Sequence, residues 1–145
     1  MGGEMITLKR LPRWRAAFEA EADRLRFQPF VWGQNDCALG LAGNLVQTLT
    51  GVDMVAPWRG QYDSPGAALR LLRAEGAASL GDMVARMLPE IPPARARIGD
   101  LGAIATDDQF GHALCLVDYE RVIGLTDAGF AFLDRGLMVR AFKIG

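Results

Sequence analysis

The stretch Pro-Phe-Val-Trp-Gly-Gln-Asn-Asp-Cys-Ala-Leu-Gly-Leu-Ala, residues 29–42, decides the fold because it joins a polar turn to an apolar helix at one cysteine. Asn35 or Asp36 can accept hydrogen bonds from the free N–H groups of the first helical turn, and the apolar residues that follow are typical of a buried helix. Cys37 then lies at the positive end of the helix dipole, which favours the nucleophilic thiolate. The alternative interpretation of Cys37 is a small, buried structural residue.

Length and composition indicate one globular domain. The chain has 145 residues, of which 50% are hydrophobic and 23% charged, and its net charge is −1. It can bury a sizeable core, and its charge gives no reason to expect nucleic acid or a membrane as partner. No run approaches the roughly 18 apolar residues of a membrane span, and no secretory signal is present, so we expect synthesis in the bacterial cytoplasm. A single bridge between Cys37 and Cys115 is possible but not indicated.

The first part of the chain has the spacing of amphipathic and buried helices. The pattern predicts helices at about residues 13–26 and 36–49, a third from the cap at Ser64 to Glu75, and a fourth between Ser79 and Pro89. The second of these is apolar on nearly all sides, so it belongs in the centre of the domain. The aromatic residues of the loop at 52–62 either cover the core or line a groove.

After Pro92 and Pro93 the helical spacing gives way to short apolar runs separated by turn residues. These runs predict strands at about residues 100–105, 112–118, 121–126, 129–133 and 137–144. Helices followed by a meander of strands indicate an α+β fold, in which N-terminal helices pack on a C-terminal, mostly antiparallel sheet. The single domain, 1–145, then has a helical half at about 13–90 and a sheet half at about 98–145.

The only histidine, His112, opens the most hydrophobic of these runs. Side chains alternate along a strand, so His112 shares a face with Leu114 and Leu116, whereas Cys115 faces the other way. A structural role is the alternative interpretation of a histidine at a strand end. Together, a thiolate at a helix start and an imidazole on the facing sheet are the minimal equipment for acyl transfer by a cysteine nucleophile.

Four motifs, spread over about residues 27–127, occur in an order that resembles a known family. They are Phe30-Val-Trp-Gly-Gln-Asn-Asp-Cys37, Gly60-Gln-Tyr-Asp-Ser-Pro-Gly-Ala67, Ile98-Gly-Asp-Leu101 and Gly111-His-Ala-Leu-Cys-Leu-Val-Asp118. The chain resembles the NlpC-type branch of the papain-like cysteine peptidases, and within it the short NlpC-like proteins of phage and prophage tail modules. The resemblance implies the papain-like NlpC-type fold.

The resemblance also implies a function, namely cleavage of the stem peptides of the bacterial cell wall. Cys37 is then the nucleophile and His112 the general base, while Thr126 or Asp127 stands where the family has a third polar residue that orients the imidazole. The main-chain N–H of Cys37 helps to hold the oxyanion, with Asp36 and Trp32 shaping the site. No cofactor or metal is implied.

The expected partners are the wall peptide and other tail proteins, without nucleic acid or membrane, and the protein is expected to be carried in the tail of a virion or gene-transfer particle. Two alternatives stay open at this point. One is a structural tail-tip or assembly protein that has an NlpC-like fold with weak or no hydrolase activity, and the other is an acyltransferase or amidase acting on a small substrate. If the helix dipole and an imidazolium both act on Cys37, its pKa should lie below the roughly 8.5 of a free thiol.

Overall fold

The computed structural model describes residues 7–126 and 129–145. In these residues the helical part comes first, and none of its helices is long and apolar enough to cross a membrane. The helices are α1 (Trp14–Arg26), a π-helix (Cys37–Gly43), α2 (Asn44–Thr50), α3 (Pro65–Ala74) and α4 (Leu80–Ala85). Ser64 and Ser79 cap α3 and α4 through their hydroxyl groups, as predicted.

A six-stranded antiparallel sheet follows, with strand order β1-β6-β2-β3-β4-β5. The strands are β1 (Glu90–Ile91), β2 (Leu101–Ala105), β3 (His112–Val117), β4 (Arg121–Thr126), β5 (Gly129–Asp134) and β6 (Met138–Phe142). The five predicted strands are present with ends that differ by one or two residues. The short β1 was not predicted, because two residues are too few to show an alternating pattern. The α+β class is therefore confirmed.

The two faces of β3 pack into different clusters, which confirms the predicted alternation. Leu114 and Leu116 belong to the main core between the sheet and the helices. Cys115 and Val117 lie on the other face, with Met138 of β6. Both cysteines are free thiols. Cys115 is thus separated by the sheet from Cys37, which packs against the main core.

The second helix differs from the single α-helix predicted over residues 36–49. Its first part is a π-helix because the carbonyl oxygen of Asp36 accepts from the N–H groups of both Gly40 and Leu41, each at 3.0 Å. The wider turn continues into α2, and the leucines of both parts are fully buried, which confirms the central position of this segment. Long π-helical turns are rare and are often found at functional sites.

Asp100, the residue before β2, is hydrogen-bonded to residues near both ends of the described chain. It is 1% exposed, and its carboxylate accepts from the guanidinium of Arg10 at 2.9 Å, from the N–H of Ile144 at 3.1 Å and from the N–H of Arg97 at 2.8 Å. A buried carboxylate is stable only when its oxygens are hydrogen-bonded in this way. The aspartate of the Ile98-Gly-Asp-Leu101 motif therefore has a structural role.

We expect Asp100→Ala to lower the free energy of unfolding by about 3 kcal/mol, because the change leaves the buried guanidinium of Arg10 and two main-chain N–H groups without their acceptor. Urea denaturation followed by circular dichroism measures the loss. Asp63→Ala is the control, since Asp63 is exposed. Equal stability of the two variants would contradict the role assigned to Asp100.

Candidate active site

The start of the π-helix is fixed by the carboxylate of Asp36, which is 2% exposed. One oxygen accepts from the N–H groups of Ala38 at 3.1 Å and Leu39 at 2.8 Å. The other accepts from the N–H of Gly33 at 3.0 Å and from the hydroxyl of Tyr62 at 2.6 Å. Asp36, and not Asn35, is therefore the helix cap, and it holds the turn before Cys37 as well as the helix after it.

The same turn needs a glycine at position 33. Gly33 has φ +81°, and a Cβ atom there would lie 1.7 Å from the carbonyl oxygen of Tyr62. Its own carbonyl accepts from the N–H of Gly60 at 2.9 Å. The loop at 52–62 is thus docked directly on the turn, and the Tyr62 hydroxyl reaches Asp36 because the two backbones come so close.

Trp32 connects this turn to the loop before β3. Its ring is stacked on Phe110, with centroids 5.9 Å apart, and is in edge contact with Phe30 at 4.9 Å. Phe110 lies two residues before His112, so the stack joins the segment that carries Cys37 to the segment that carries His112. Trp32 therefore packs between the two segments, and its expected site-shaping role stays a prediction.

A largely apolar cavity of about 400 Å³ lies between the helices and the sheet. Both Cys37 and His112 line it, as do Trp58 and Tyr62, so the aromatic residues of the loop at 52–62 line a cavity in addition to covering the core. Among the described residues that line it there is no lysine or arginine. Its size is in the range of small-molecule and substrate sites, whose walls are mostly apolar with a few polar groups.

His112 stands at the first position of β3, on the same side of the sheet as Cys37, but its ring contacts α4. Nδ1 accepts from the main-chain N–H of Gly81 at 3.2 Å. Only glycine fits there, since a Cβ at position 81 would lie 2.7 Å from Nδ1. A nitrogen that accepts a hydrogen bond carries no proton, so the neutral ring has its proton on Nε2. The ring of His112 lines the cavity that Cys37 also lines, while its hydrogen bond goes to α4.

Charged groups near His112 act on its protonation in opposite directions. Burial lowers the pKa of His112, and the positive charge of Arg140 lowers it further, whereas Asp82 and Glu90 raise it. Arg140 holds both carboxylates, at 2.7 Å to Asp82 and 2.8 Å to Glu90. The net effect is a pKa below the ordinary value, so the imidazole is neutral at pH 7 and able to accept a proton.

The electrostatic prediction for Cys37 is wrong for the free protein. Although part of the residue is exposed, the thiol is surrounded by protein atoms, and this burial raises the pKa of Cys37 to about 12. The N–H groups of Leu114 and of Cys37 itself lower the pKa, while the negative charges of Asp36 and Asp108 raise it. No hydrogen bond is present between the thiol and His112 in the described structure. Cys37 is therefore a neutral thiol, because desolvation outweighs the helix-end field.

Asp108 and Thr106 are site residues that the sequence reasoning missed. They lie in the β2–β3 loop and line the cavity, and the Asp108 carboxylate accepts from the Thr106 hydroxyl at 2.8 Å and from the N–H of Phe110 at 3.0 Å. The run Thr106-Asp-Asp-Gln109 has the composition of a turn, and composition alone does not indicate a site. Their nearness to Cys37 depends on how the loop is folded over the helix start.

The two candidates for a third polar residue have different outcomes. Thr126, at the end of β4, lines the cavity, and its hydroxyl donates to the carbonyl of Gly129 at 3.2 Å. Asp127 lies outside the described residues. Of the two candidates that the sequence gives for the third polar residue, the described part of the chain includes only Thr126.

Fold and site together define an α+β protein in which a cysteine at the start of a buried helix and a histidine on the facing sheet share one apolar cavity. The chain belongs to the family described as a domain of unknown function, DUF6950, whose model matches residues 9–144. Comparison with curated proteins and with solved structures returned no match.

We expect the pKa of His112 to rise in Arg140→Gln, because the change removes a positive charge and leaves the carboxylates of Asp82 and Glu90 to act on the ring. Since His112 is the only histidine, a proton NMR titration of its Cε1–H signal measures this directly. Lys143→Gln, which removes an exposed positive charge elsewhere, is the control. A native pKa at or above that of free histidine would show that the charges around His112 are assigned incorrectly.

We expect Cys37 to react slowly with iodoacetamide at neutral pH. A pKa of about 12 leaves roughly a thousandfold less thiolate than in free cysteine, and the rate should increase steadily with pH. Mass spectrometry of the labelled native protein measures the modified fraction, and Cys37→Ala identifies the signal that belongs to Cys115. Labelling as fast as that of free cysteine at pH 7 would contradict the buried, neutral thiol.

Proposed function

We propose that the protein is an NlpC-type cysteine peptidase with a papain-like fold, which hydrolyses stem peptides of the bacterial cell wall. The observation that carries the proposal is the position of Cys37, which is the first residue of a buried helix and lines the same cavity as His112 of β3. The resemblance of the four sequence motifs to this family is the second support. On this proposal the protein is made in the bacterial cytoplasm and is carried by the tail of a phage or gene-transfer particle.

Two main-chain N–H donors lie beside the sulfur of the nucleophile. The Asp36 carboxylate accepts hydrogen bonds from the N–H groups of Ala38 and Leu39, while the N–H of Cys37 faces the sulfur of the same residue. The N–H of Leu114 also faces this sulfur. Main-chain donors at this point are what the oxyanion of a tetrahedral intermediate requires, so we assign them the stabilisation of that charge.

The proposed reaction begins from a neutral thiol, because burial raises the pKa of Cys37 to about 12. The sulfur attacks the peptide carbonyl as its proton passes to His112, so that an S–C bond forms and the π bond of the carbonyl opens to give the oxyanion of the tetrahedral intermediate. The leaving amine takes that proton as the C–N bond breaks, which leaves an acyl-enzyme. Water then attacks the thioester as its proton passes to His112; a C–O bond forms, the C–S bond breaks, the carboxylic acid product leaves and the proton returns from His112 to the sulfur of Cys37.

This scheme places one requirement on His112. Nδ1, the nitrogen with the free electron pair, accepts from the N–H of Gly81. It must exchange that hydrogen bond for the proton of Cys37 when substrate binds, since Nε2 already carries a proton. Catalytic hydrogen bonds are often long or absent before substrate binds and form in the complex. Thr126 or Asp127 would hold the ring in its new orientation.

A second candidate function is a structural tail-tip or assembly protein with the same fold. Two observations favour it, namely the raised pKa of Cys37 and the hydrogen bond that holds His112 on α4. On this interpretation both side chains are packing residues, and the partners are other tail proteins. The two functions differ in whether Cys37 is needed for chemistry.

We expect Cys37→Ala to reduce the release of stem-peptide fragments from purified cell wall by roughly a thousandfold or more, because the covalent step is lost. Chromatography of the soluble fragments measures the release. Cys115→Ala is the matched control and should retain activity, since Cys115 lies on the other face of the sheet.

His112→Ala should be as inactive as Cys37→Ala if the two side chains act in one step. Wall hydrolysis that persists in Cys37→Ala would exclude the proposed nucleophile. A native protein that releases no fragments, although particles carrying Cys37→Ala infect normally, would replace the peptidase with the structural tail protein.

A further inference from the structure

A second cavity, of about 470 Å³, lies where the start of α1 meets the segment before β2. Its lining is unlike that of the first cavity, because most of it consists of arginine and aromatic side chains. These are Arg10, Arg15, Arg97, Arg135, Trp14 and Tyr119. The chain as a whole has a net charge of −1, so four arginines around one cavity form a local excess of positive charge.

Two of the arginines are held in place by the fold. Arg10 donates to Asp100 at 2.9 Å, to the carbonyl of Ile98 at 2.8 Å and to that of Ile144 at 2.7 Å. Arg135 donates to carbonyl oxygens, among them those of Tyr119 and Ala96. Among the described residues the acceptors of Arg135 are carbonyl oxygens, so in this part of the chain its positive charge has no carboxylate partner.

The other two arginines have guanidinium groups that remain available. Arg15 and Arg97 are exposed, and within residues 7–126 and 129–145 neither side chain has a hydrogen bond or an ion pair. The pKa of Arg10 is lowered by burial and, in spite of Asp100, also by the charge of Arg97 nearby. The positive charges of Arg10 and Arg97 lie close together, and the one carboxylate paired with Arg10 in the described structure is that of Asp100, so a bound anion would stabilise the remaining positive charge.

An aromatic surface adjoins these charges. Tyr119 is 74% exposed, which is unusual for so large a ring, and it lines the cavity. Trp14 is partly buried and has the guanidinium of Arg10 over its ring at 4.2 Å. The free ring of Tyr119 is therefore the surface on which a planar group can stack.

We propose that this cavity binds a nucleoside phosphate, with the phosphate on Arg15 and Arg97 and the base on Tyr119. The paired N–H donors of a guanidinium group match phosphate oxygens in geometry and in charge. A base can stack on a tyrosine ring whatever its identity. The cavity has the size of small-molecule sites. This binding is separate from the proposed peptidase function, and it departs from the expectation that the protein has no nucleic-acid partner.

Isothermal titration calorimetry of the full chain with adenosine monophosphate, at roughly 50 mM salt, tests the proposal. We expect saturable binding that weakens at roughly 200 mM salt. In the double variant Arg15→Gln and Arg97→Gln the affinity should fall by about tenfold or more. Neither guanidinium has a partner in the described structure, so the fold should not change, and circular dichroism checks this. Arg70→Gln, an exposed arginine of α3 outside the cavity, is the matched control and should bind as the native chain does.

A second variant tests the contribution of the Tyr119 ring separately from that of the arginine charges. Tyr119→Ala should weaken the binding of adenosine monophosphate by about tenfold and leave that of inorganic phosphate unchanged. The nucleoside phosphate can belong to a nucleic-acid strand or be a free nucleotide, and a single-stranded oligothymidylate distinguishes the two. If the oligothymidylate binds more tightly than the mononucleotide, with the same arginine dependence, the ligand is a nucleic-acid strand. If it binds more weakly, the ligand is a free nucleotide.

The proposal is overturned if adenosine monophosphate does not bind saturably, or if the double arginine variant binds it as tightly as Arg70→Gln does. It is also overturned if inorganic phosphate binds as tightly as the nucleotide, because the ring then contributes nothing. Wall hydrolysis is expected to be the same in all of these variants, so failure here is distinguishable from failure of the proposed peptidase.

Discussion

The carboxylate of Asp36 is the group on which the candidate site depends. It accepts four hydrogen bonds, from the turn before Cys37, from the helix after it and from Tyr62 of the loop that covers the cavity. Because the carboxylate is buried, each of these bonds is formed in a low-dielectric environment, where charge-assisted bonds are strong and unmade bonds are costly. The position of Cys37 is therefore set by a single side chain that connects three segments of the chain.

Burial and the helix end act on Cys37 in opposite directions, and burial has the larger effect. The field of one helix terminus is typically worth about 1 kcal/mol or less, whereas removing a thiolate from water shifts a pKa by several units. The nearby carboxylates of Asp36 and Asp108 add to the effect of burial. The proposed chemistry begins from the thiol because burial keeps Cys37 neutral in the free protein.

The two cavities differ in the chemistry of their walls. The first has apolar walls and no lysine or arginine among the described residues that line it, and its polar groups include Cys37 and His112. The second has four arginines around an exposed tyrosine. They are built from different parts of the fold, the first between the helices and the sheet and the second beside the start of α1. A chain with a net charge of −1 can in this way contain a local cluster of arginines that its overall composition conceals.

The sequence by itself determined the order of the predicted elements, the faces of β3 and the cap of α3, because these follow from local spacing and from residue types such as Ser64. For the helix of Cys37 the sequence left Asn35 and Asp36 as alternative caps, and only the structure identified Asp36. It did not determine the π-helical start, the short β1, or the contacts of His112 with Gly81 and Arg140 of distant elements. The pKa of Cys37 was predicted in the wrong direction, since helix-end position is visible in sequence while desolvation is a property of the packed environment. The position of Asp108 beside Cys37, and that of the four arginines around one cavity, were likewise recognisable only in the folded chain. The arginines lie between positions 10 and 135 of the sequence, so only tertiary packing brings them together.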